Sequence, residues 1–440
     1  MRQIKKFYVR TYGCQMNELD TEIMVGQLEH RGLTRSHDEH DADLLIFNTC
    51  SIRDLAERKV LGKLGQLGRR RQNPNAIIGV TGCMANAKKE SLFQKLPHID
   101  FILGTNNIHD LNNVLDEVLA TGKQTIRTDD QFSFELDYLN AKRENKVIAH
   151  VSIIRGCDKY CTYCVVPYTR GPEVSREPES IVEECRHLVS QGYKEVILLG
   201  QNVNSYGKDK PECSCLFHDL LYKLDQIPGL ERIRFMTSHP VDITRELMEA
   251  IRDLKSMCEF VHFPLQAGSN RILKKMHRIY TVEQYLEKVQ TLREIVPNVS
   301  LGTDIIVGFP TETEEEFLQT YQFLKEIEYS VAFLFAYSPR KGTPAMRWSD
   351  DIPESVKEER LQRLIQLQDE IIAKQRQALL GSEVEILVEQ CNFKDSALLK
   401  GRTRCWKNVL FAGDASLIGT LQRVKLHSYS HQTFLGDRVV

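Results

Sequence analysis

Cys157, Cys161 and Cys164 fall within the stretch RGCDKYCTYCVVPYTRG, residues 155–171, with no fourth cysteine nearby. Thiolates are soft ligands that hold zinc or iron–sulfur clusters. Positions i, i+4 and i+7 would share one face of a helix, so a buried helical stripe is one reading. Gly156 before the group and Pro167 within its tail leave little room for that helix. The group also follows an apolar strand pattern, which favours a loop at a strand's carboxyl end. Zinc is a second reading, but structural zinc sites close with four ligands, usually as two near pairs. Here Cys185 lies in a predicted helix, and Cys213 and Cys215 are far on. An iron–sulfur cube held by three thiolates leaves one iron without a protein ligand, a vacancy a substrate can fill. The spacing favours this open cluster over zinc and over buried thiols.

Cys14, Cys50 and Cys83 form a second set, too far apart for a local motif. Their contexts are alike: TYGC, FNTC and VTGC, each directly after an apolar run. Carboxyl ends of parallel strands lie along one edge of a sheet, where ligands gather, so three such thiols can converge. Three independently buried cysteines are the alternative, and they leave the repeated placement unexplained. Cys185, Cys213, Cys215, Cys258, Cys391 and Cys405 complete the twelve cysteines and look scattered. Clustered thiols in a reducing compartment bind metal or do chemistry more often than they form disulfides.

The elements that must position these groups read as three blocks, as expected for 440 residues at roughly 150 per domain. Residues 1–122 alternate short apolar runs (KFYVRTYGC, DLLIFNTC, AIIGVTGC, DFILGTNN) with helical patterns at 17–30, 52–70 and 88–96. That alternation predicts a parallel sheet with covering helices, an α/β domain. Residues 123–146 are polar and aperiodic, an expected linker. From 147 to 375 six strand candidates alternate with helices: VIAHVSIIRGC, KEVILLGQN, RIRFMTSHP, EFVHFPLQAGS, NVSLGTDIIVGFP and SVAFLFAYSP. Six βα units predict a partial α/β barrel with functional groups at the strand C-termini. A long helix at about 353–378 closes the block.

The tail, 376–440, carries four strand candidates without intervening helices (SEVEILVEQ, LLKGRTRCWKNVLF, LIGTLQRVKLHSYS and TFLGDRVV), which predicts a small antiparallel β-barrel. It holds nine Lys/Arg against six Asp/Glu, while the whole chain has net charge −2. Any nucleic-acid surface is therefore local. Phe393, Trp406 and Phe411 are interleaved with Lys400, Arg402, Arg404 and Lys407, a mix of stacking faces and charge that suits RNA. A solvated barrel with core aromatics is the plainer alternative. The N-terminus has no apolar signal region and no run of about 18 apolar residues occurs, so a cytoplasmic chain without membrane spans is expected.

CxxxCxxC after the first strand of a six-unit barrel resembles the radical S-adenosylmethionine superfamily. With a strand-Cys domain ahead and a small β-barrel behind, the whole chain resembles the methylthiotransferases. The motifs YGCQMNELD, NTCSIRD, CTYCVVPYTRG, LLGQNVNSYG and TSHP are most similar to the branch acting on N6-dimethylallyladenosine in tRNA. The resemblance implies a methylthiotransferase N-terminal domain, a radical core and an RNA-binding TRAM barrel. It implies two 4Fe-4S clusters, an auxiliary one on Cys14, Cys50 and Cys83 and one on Cys157, Cys161 and Cys164 whose open iron takes S-adenosylmethionine. Tyr163 matches the family's aromatic beside the adenine. The implied reaction is methylthiolation of C2 of the adenine at tRNA position 37, with two S-adenosylmethionine per turnover. The implied partners are the prenylated anticodon stem-loop, a flavodoxin- or ferredoxin-like electron donor, and iron–sulfur or sulfur supply proteins.

Gln201, Asn202, Ser238, His239, Gln266 and Asp304 follow or end apolar strands, where cofactor or substrate could be met, though each could equally be a cap or turn residue. Arg278, after KKM, could neutralise a carboxylate, but a solvated helix-end cation is the plainer reading. Thr311 in GFPTET replaces the family's usual Gly, and Pro172 a common acidic residue; both put local contacts in doubt. Rival readings are methylthiolation of a ribosomal protein or of threonylcarbamoyladenosine, a non-catalytic iron–sulfur carrier, and an RNA-binding zinc protein.

Overall fold

The computed structural model describes residues 4–50, 54–70, 73–129, 138, 141–210, 212, 215–395 and 397–439. The chain divides into two compact units. One is Met1–Glu144 with Arg155–Tyr160 and Cys164–Arg176; the other is Asn145–Ile154, Cys161–Tyr163 and Glu177–Val440.

The first unit is built on six strands: β1 Lys6–Thr11, β2 Thr34–Arg35, β3 Leu44–Thr49, β4 Ile77–Gly82, β5 Phe101–Leu103 and β6 Thr125–Arg127. All pair in parallel in the order β2-β1-β3-β4-β5-β6. Every residue of β3 (LLIFNT) and β4 (IIGVTG) is buried, as for central strands covered on both faces. Parallel register sets Thr11 beside Asn48 and Thr49 beside Gly82, so the three strands end level.

Two expectations change here. A helix expected at 88–96 is instead two short ones, Cys83–Lys88 and Ser91–Lys95, the first starting at the cysteine itself. The polar stretch 123–146 contributes β6. Its residues 130–137 and 139–140 lie outside the described residues. Tyr138 is buried with the Arg176 guanidinium 4.4 Å from its ring centroid. Arg143 reaches Glu22 at 3.4 Å, and Arg35 meets Glu144 at 2.8 Å, so the end of the stretch lies against the first unit.

In the second unit the six predicted barrel strands all form: β7 Ile148–Ser152, β8 Glu195–Leu199, β9 Arg232–Phe235, β10 Phe260–His262, β11 Ser300–Val307 and β12 Val331–Ala336. They make two parallel three-stranded sheets, β9-β8-β7 and β10-β11-β12, and a bridge between Ile233 and Met257 lies at the start of the second. The closing helix runs Glu354–Leu379.

The tail is a closed five-stranded barrel in the order β13-β14-β15-β17-β16. The strands are β13 Glu383–Cys391, β14 Leu398–Thr403, β15 Asn408–Ala412, β16 Leu421–Ser430 and β17 Thr433–Arg438. The single candidate LLKGRTRCWKNVLF is thus a hairpin, with Trp406 in the turn at φ +70°. Four pairings are antiparallel and one, β15–β17, is parallel.

That hairpin docks on the parallel strands of the same unit. Arg232 and Arg234 on β9 are buried and donate to the carbonyls of Arg402 (2.5 Å), Thr403 (2.8 Å) and Arg404 (2.5 Å). Arg234 Nε also meets Glu195 at 2.8 Å, both fully buried. Arg404 binds the Glu259 carboxylate, and Trp406 lies 5.5 Å from Phe260 with the Arg234 and Arg402 guanidinium groups over its ring. The aromatic and basic residues expected to face RNA therefore separate. Trp406, Arg402 and Arg404 serve docking, Phe411 is in the barrel core, and Phe393 is fully exposed.

Candidate functional site

In the first unit the sequence repeat becomes geometry. Cys50 and Cys83 directly follow β3 and β4, and Cys14 follows β1 as the N-cap of the helix Gln15–His30. A left-handed glycine precedes Cys14 and Cys83, Gly13 at φ +143° and Gly82 at φ +92°. A side chain there would be strained and would collide: a Cβ on Gly82 would sit 2.2 Å from the Thr49 carbonyl oxygen. A Cβ on Gly13 would lie 3.0 Å from that of Cys50, which places Cys50 against the Cys14 turn.

An amide network fixes the turns. Asn17 Nδ2 donates to Asn48 Oδ1 at 2.9 Å, and Asn48 Nδ2 donates back to the Asn17 carbonyl at 2.8 Å. Cys14 Sγ lies 3.4 Å from Asn17 Oδ1. Beside them, Asp20 is fully buried and accepts from Arg155 at 2.6 Å and from Arg170 at 3.4 Å. Burial pushes the Cys14 thiol pKa up, and the Arg170 charge opposes that. Burial alone would lower the pKa of Arg170; the negative charges of Cys83, Asp20 and Cys14 and a hydrogen bond to Cys83 raise it. Cys14 and Cys83 thus share one guanidinium. Among the described residues no group of three metal-ligating side chains is closed to metal-holding distance.

Cys157 and Cys164 belong to the first unit and Cys161 to the second. Gly156, at φ +78°, packs so closely that a Cβ would fall 1.8 Å from the Pro172 carbonyl oxygen, and Cys157 N donates to the Gly171 carbonyl at 3.2 Å. Val166 N donates to Cys164 Sγ at 3.5 Å. The departure at Pro172 therefore lies under the glycine that leads into Cys157.

Within the second unit Cys161 is buried and accepts from Arg278 Nη1 at 3.4 Å. Arg278 also donates to the Pro264 carbonyl and to Tyr280. It is buried, which overturns the reading as a solvated cation. Tyr163 packs edge-on against Phe309, 6.3 Å between centroids. Gln201 lies two residues beyond β8 and is half-buried. Asn202 donates to Asp242 at 2.9 Å, and the His239 backbone is clamped from both sides by the Asn204 amide. Ser238 is buried with its hydroxyl unpartnered. Gln266 sits in the left-handed region at φ +72°, and its backbone bridges to β11. Asp304 lies inside β11 rather than at its end and faces His262 Nε2 at 3.2 Å. Thr311 has φ +73°, which is why glycine suits the position. Its hydroxyl accepts from Arg271 and Lys275, at 3.1 and 2.8 Å.

Asp20, Arg155, Arg170 and His262 were not singled out from sequence. The signal for Arg170 is its place in PYTRG, six residues after Cys164.

A parallel strand-helix barrel with a three-cysteine loop after its first strand defines a radical S-adenosylmethionine enzyme, and residues 151–324 match the Radical SAM superfamily model. Residues 6–104 match the Uncharacterized protein family UPF0004. The chain belongs to the tRNA-2-methylthio-N(6)-dimethylallyladenosine synthase family. It is 81% identical over 437 residues to such a synthase from Protochlamydia amoebophila, covering 99% of this chain and 97% of the relative. Synthases of the same name from Clostridium botulinum (strain Loch Maree / Type A3) and Thermoanaerobacter pseudethanolicus are 46% and 47% identical. They cover 99% and 98% of this chain, and 97% and 92% of the relatives. The fold is similar to the radical S-adenosylmethionine methyltransferase TsrM from Kitasatospora setae, with TM-score 0.57 and 15% identity, covering 78% of this chain and 77% of that one. It is also similar to the cobalamin-dependent enzyme OxsB, with TM-score 0.53 and 13% identity, covering 84% and 56%. No helix among the described residues is long and apolar enough to cross a membrane.

Proposed function

We propose that this chain attaches a methylthio group to C2 of N6-dimethylallyladenosine at position 37 of tRNA, in the cytoplasm. The observation that carries the reading is the alignment of three adjacent parallel strands that each run into a cysteine, Cys14, Cys50 and Cys83. The family relationship supports the substrate. In this reading residues 1–122 form the auxiliary-cluster domain, 123–146 a linker, 147–375 the radical core and 376–440 the RNA-binding barrel.

The residues fit the implied groups. Two sets of three soft thiolates match the demand of a 4Fe-4S cube that keeps one iron open. Cys14, Cys50 and Cys83 would hold the auxiliary cluster, and Cys157, Cys161 and Cys164 the cluster that binds S-adenosylmethionine. When bound, these groups supply radical activation of an unreactive C–H bond and a soft sulfur carrier, chemistry that no amino-acid side chain provides.

The chain's own residues supply position and charge. Arg278 holds positive charge against Cys161, and the packing of Tyr163 on Phe309 sets an aromatic face beside the same loop. Gln201, Asn202, Ser238, Gln266 and Asp304 offer polar groups to cofactor or base. Burial around the strand ends keeps water out, which strengthens the electrostatic interactions among the groups held there. An unpaired anticodon-loop base can be splayed out at lower cost than a paired one. A flavodoxin- or ferredoxin-like donor and a sulfur supply protein complete the cycle.

The test is anaerobic reaction of the reconstituted chain with S-adenosylmethionine, a reductant and a prenylated anticodon stem-loop. Nucleoside digestion should show the methylthio product. Unchanged N6-dimethylallyladenosine in the presence of about eight irons per chain would remove the proposal.

A further inference from the structure

We propose that the loop 338–348, with its exposed Lys341 and Arg347, is the landing surface for an acidic one-electron donor protein that reduces the centre at Cys157, Cys161 and Cys164. This rests on the reading that those cysteines hold a cluster.

Charge carries the proposal first. Residues 260–282 and 331–349 hold seven Lys/Arg and no Asp or Glu, in a chain whose net charge is −2. Lys341 and Arg347 are exposed, and among the described residues neither has an acidic partner. The next two carboxylates along the chain are engaged elsewhere, Asp350 by Lys357 Nζ at 2.7 Å and Asp351 by the Thr311 N–H at 2.8 Å. A patch of one sign without counter-charges steers an oppositely charged partner onto it.

Place carries it further. The two segments follow the parallel strands β10 and β12, and both close on Thr162, the residue after Cys161. The Thr162 N–H donates to the Met276 carbonyl at 3.1 Å, and its hydroxyl donates to the Lys275 carbonyl at 2.9 Å. The Thr162 carbonyl accepts from Ala345 N at 2.8 Å. The loop is thus one hydrogen bond from the backbone that carries Cys161. Electron transfer decays steeply with distance, so a donor seated here has a short route inward. The loop is also fixed. Trp348 packs edge-on against Phe309, 5.9 Å between centroids, with the Lys275 ammonium 5.0 Å from its ring centroid. Gly342, at φ +91°, turns the tip in open space.

RNA is the other polyanion that would meet this charge, but single-stranded RNA is gripped on exposed aromatic faces. In this loop the large exposed apolar side chain is Met346, 48% exposed, and the Trp348 ring is covered. A flexible methionine among cations suits a transient protein contact. Redox encounters are also small, below about 1,200 Å² in all, which a surface of this extent can supply. In the encounter one electron leaves the donor's flavin or iron–sulfur group and enters the centre; no atom is transferred.

The experiment uses the full-length chain, reconstituted anaerobically, with a bacterial flavodoxin as the probe. Its binding is measured by calorimetry at low and high salt, and reduction of the cluster by flavodoxin hydroquinone is followed by stopped-flow bleaching. Lys341→Glu with Arg347→Glu is expected to weaken binding at low salt about tenfold and to slow bleaching by a similar factor, with the difference closing at high salt. Lys341→Gln with Arg347→Gln should fall between. Bleaching by dithionite and affinity for the anticodon stem-loop should match the parent in both. A charge-reversed chain with the parent's flavodoxin affinity and bleaching rate would overturn the proposal, and so would a parent that binds no flavodoxin. Lost stem-loop affinity would overturn it in favour of an RNA surface. A parent that takes up no iron at Cys157, Cys161 and Cys164 while still binding flavodoxin overturns the cluster reading itself, and the donor's role with it.

Discussion

Arg278 Nη1 lies 3.4 Å from Cys161 Sγ, and both side chains are buried. A cation held there by Tyr280 and the Pro264 carbonyl stabilises thiolate sulfur and added electron density on it. In the proposed function, Arg278→Gln should retain iron but lower S-adenosylmethionine cleavage by about 10–100-fold, the usual cost of losing a partner to a metal ligand. Quantifying 5′-deoxyadenosine under limiting reductant checks this; wild-type cleavage would exclude the role.

Thr311 combines an unfavourable backbone with a favourable side chain. Its φ of +73° stores strain of order 1–3 kcal/mol, while its hydroxyl receives Arg271 and Lys275 and its N–H donates to Asp351 at 2.8 Å. Thr311→Ala keeps the strain and loses the acceptor, so it should destabilise by about 1 kcal/mol. Thr311→Gly should lose less than Thr311→Ala, because it relieves the strain. Urea midpoints of the two variants decide the order, and the reverse order would refute the strain argument.

Glu195 and Arg234 form an ion pair with almost no solvent exposure. Arg234→Met strands a buried carboxylate and two barrel carbonyls, for an expected loss of about 3–5 kcal/mol. Adding Glu195→Gln should recover part of that loss, since the two sites are coupled. Denaturant unfolding of the single and double variants measures the coupling. Simple additivity would argue against a shared network.

Phe393 and Phe411 were alike in the sequence pattern and are opposite in the structure. Phe411→Ala should cost about 3–5 kcal/mol of stability through cavity formation. Phe393→Ala should leave stability unchanged and weaken binding of the anticodon stem-loop by about 1–3 kcal/mol if a base stacks on it. Thermal melts and fluorescence anisotropy separate the two. Equal effects on both properties would contradict the assignment.

Much of this was legible in the residues. Apolar runs ending in TYGC, FNTC and VTGC specify parallel strands because central strands are buried on both faces. Gly13, Gly82 and Gly156 each stand directly before a cysteine in the sequence, yet only the backbone, left-handed at all three, shows what they do. Arg155 and Asp20 are separated by 135 residues, and no local spacing announces such a pair. Arg278 misled because a basic residue after a helix is usually solvated; its burial follows from tertiary packing with Tyr280 and Pro264. The tail's basic and aromatic mixture divides between roles for a related reason. Docking of one protein surface on another and recognition of RNA use the same side chains, and composition does not separate the two.

The barrel's hairpin is riveted to β9 by Arg232 and Arg234, with Trp406 clasped beneath Arg402. A module fastened in this way does not swing on a tether. It acts as a fixed gauge: in the proposed function, a stem-loop gripped by the barrel would be presented to the core strands at a set distance, and its length would count as well as its bases.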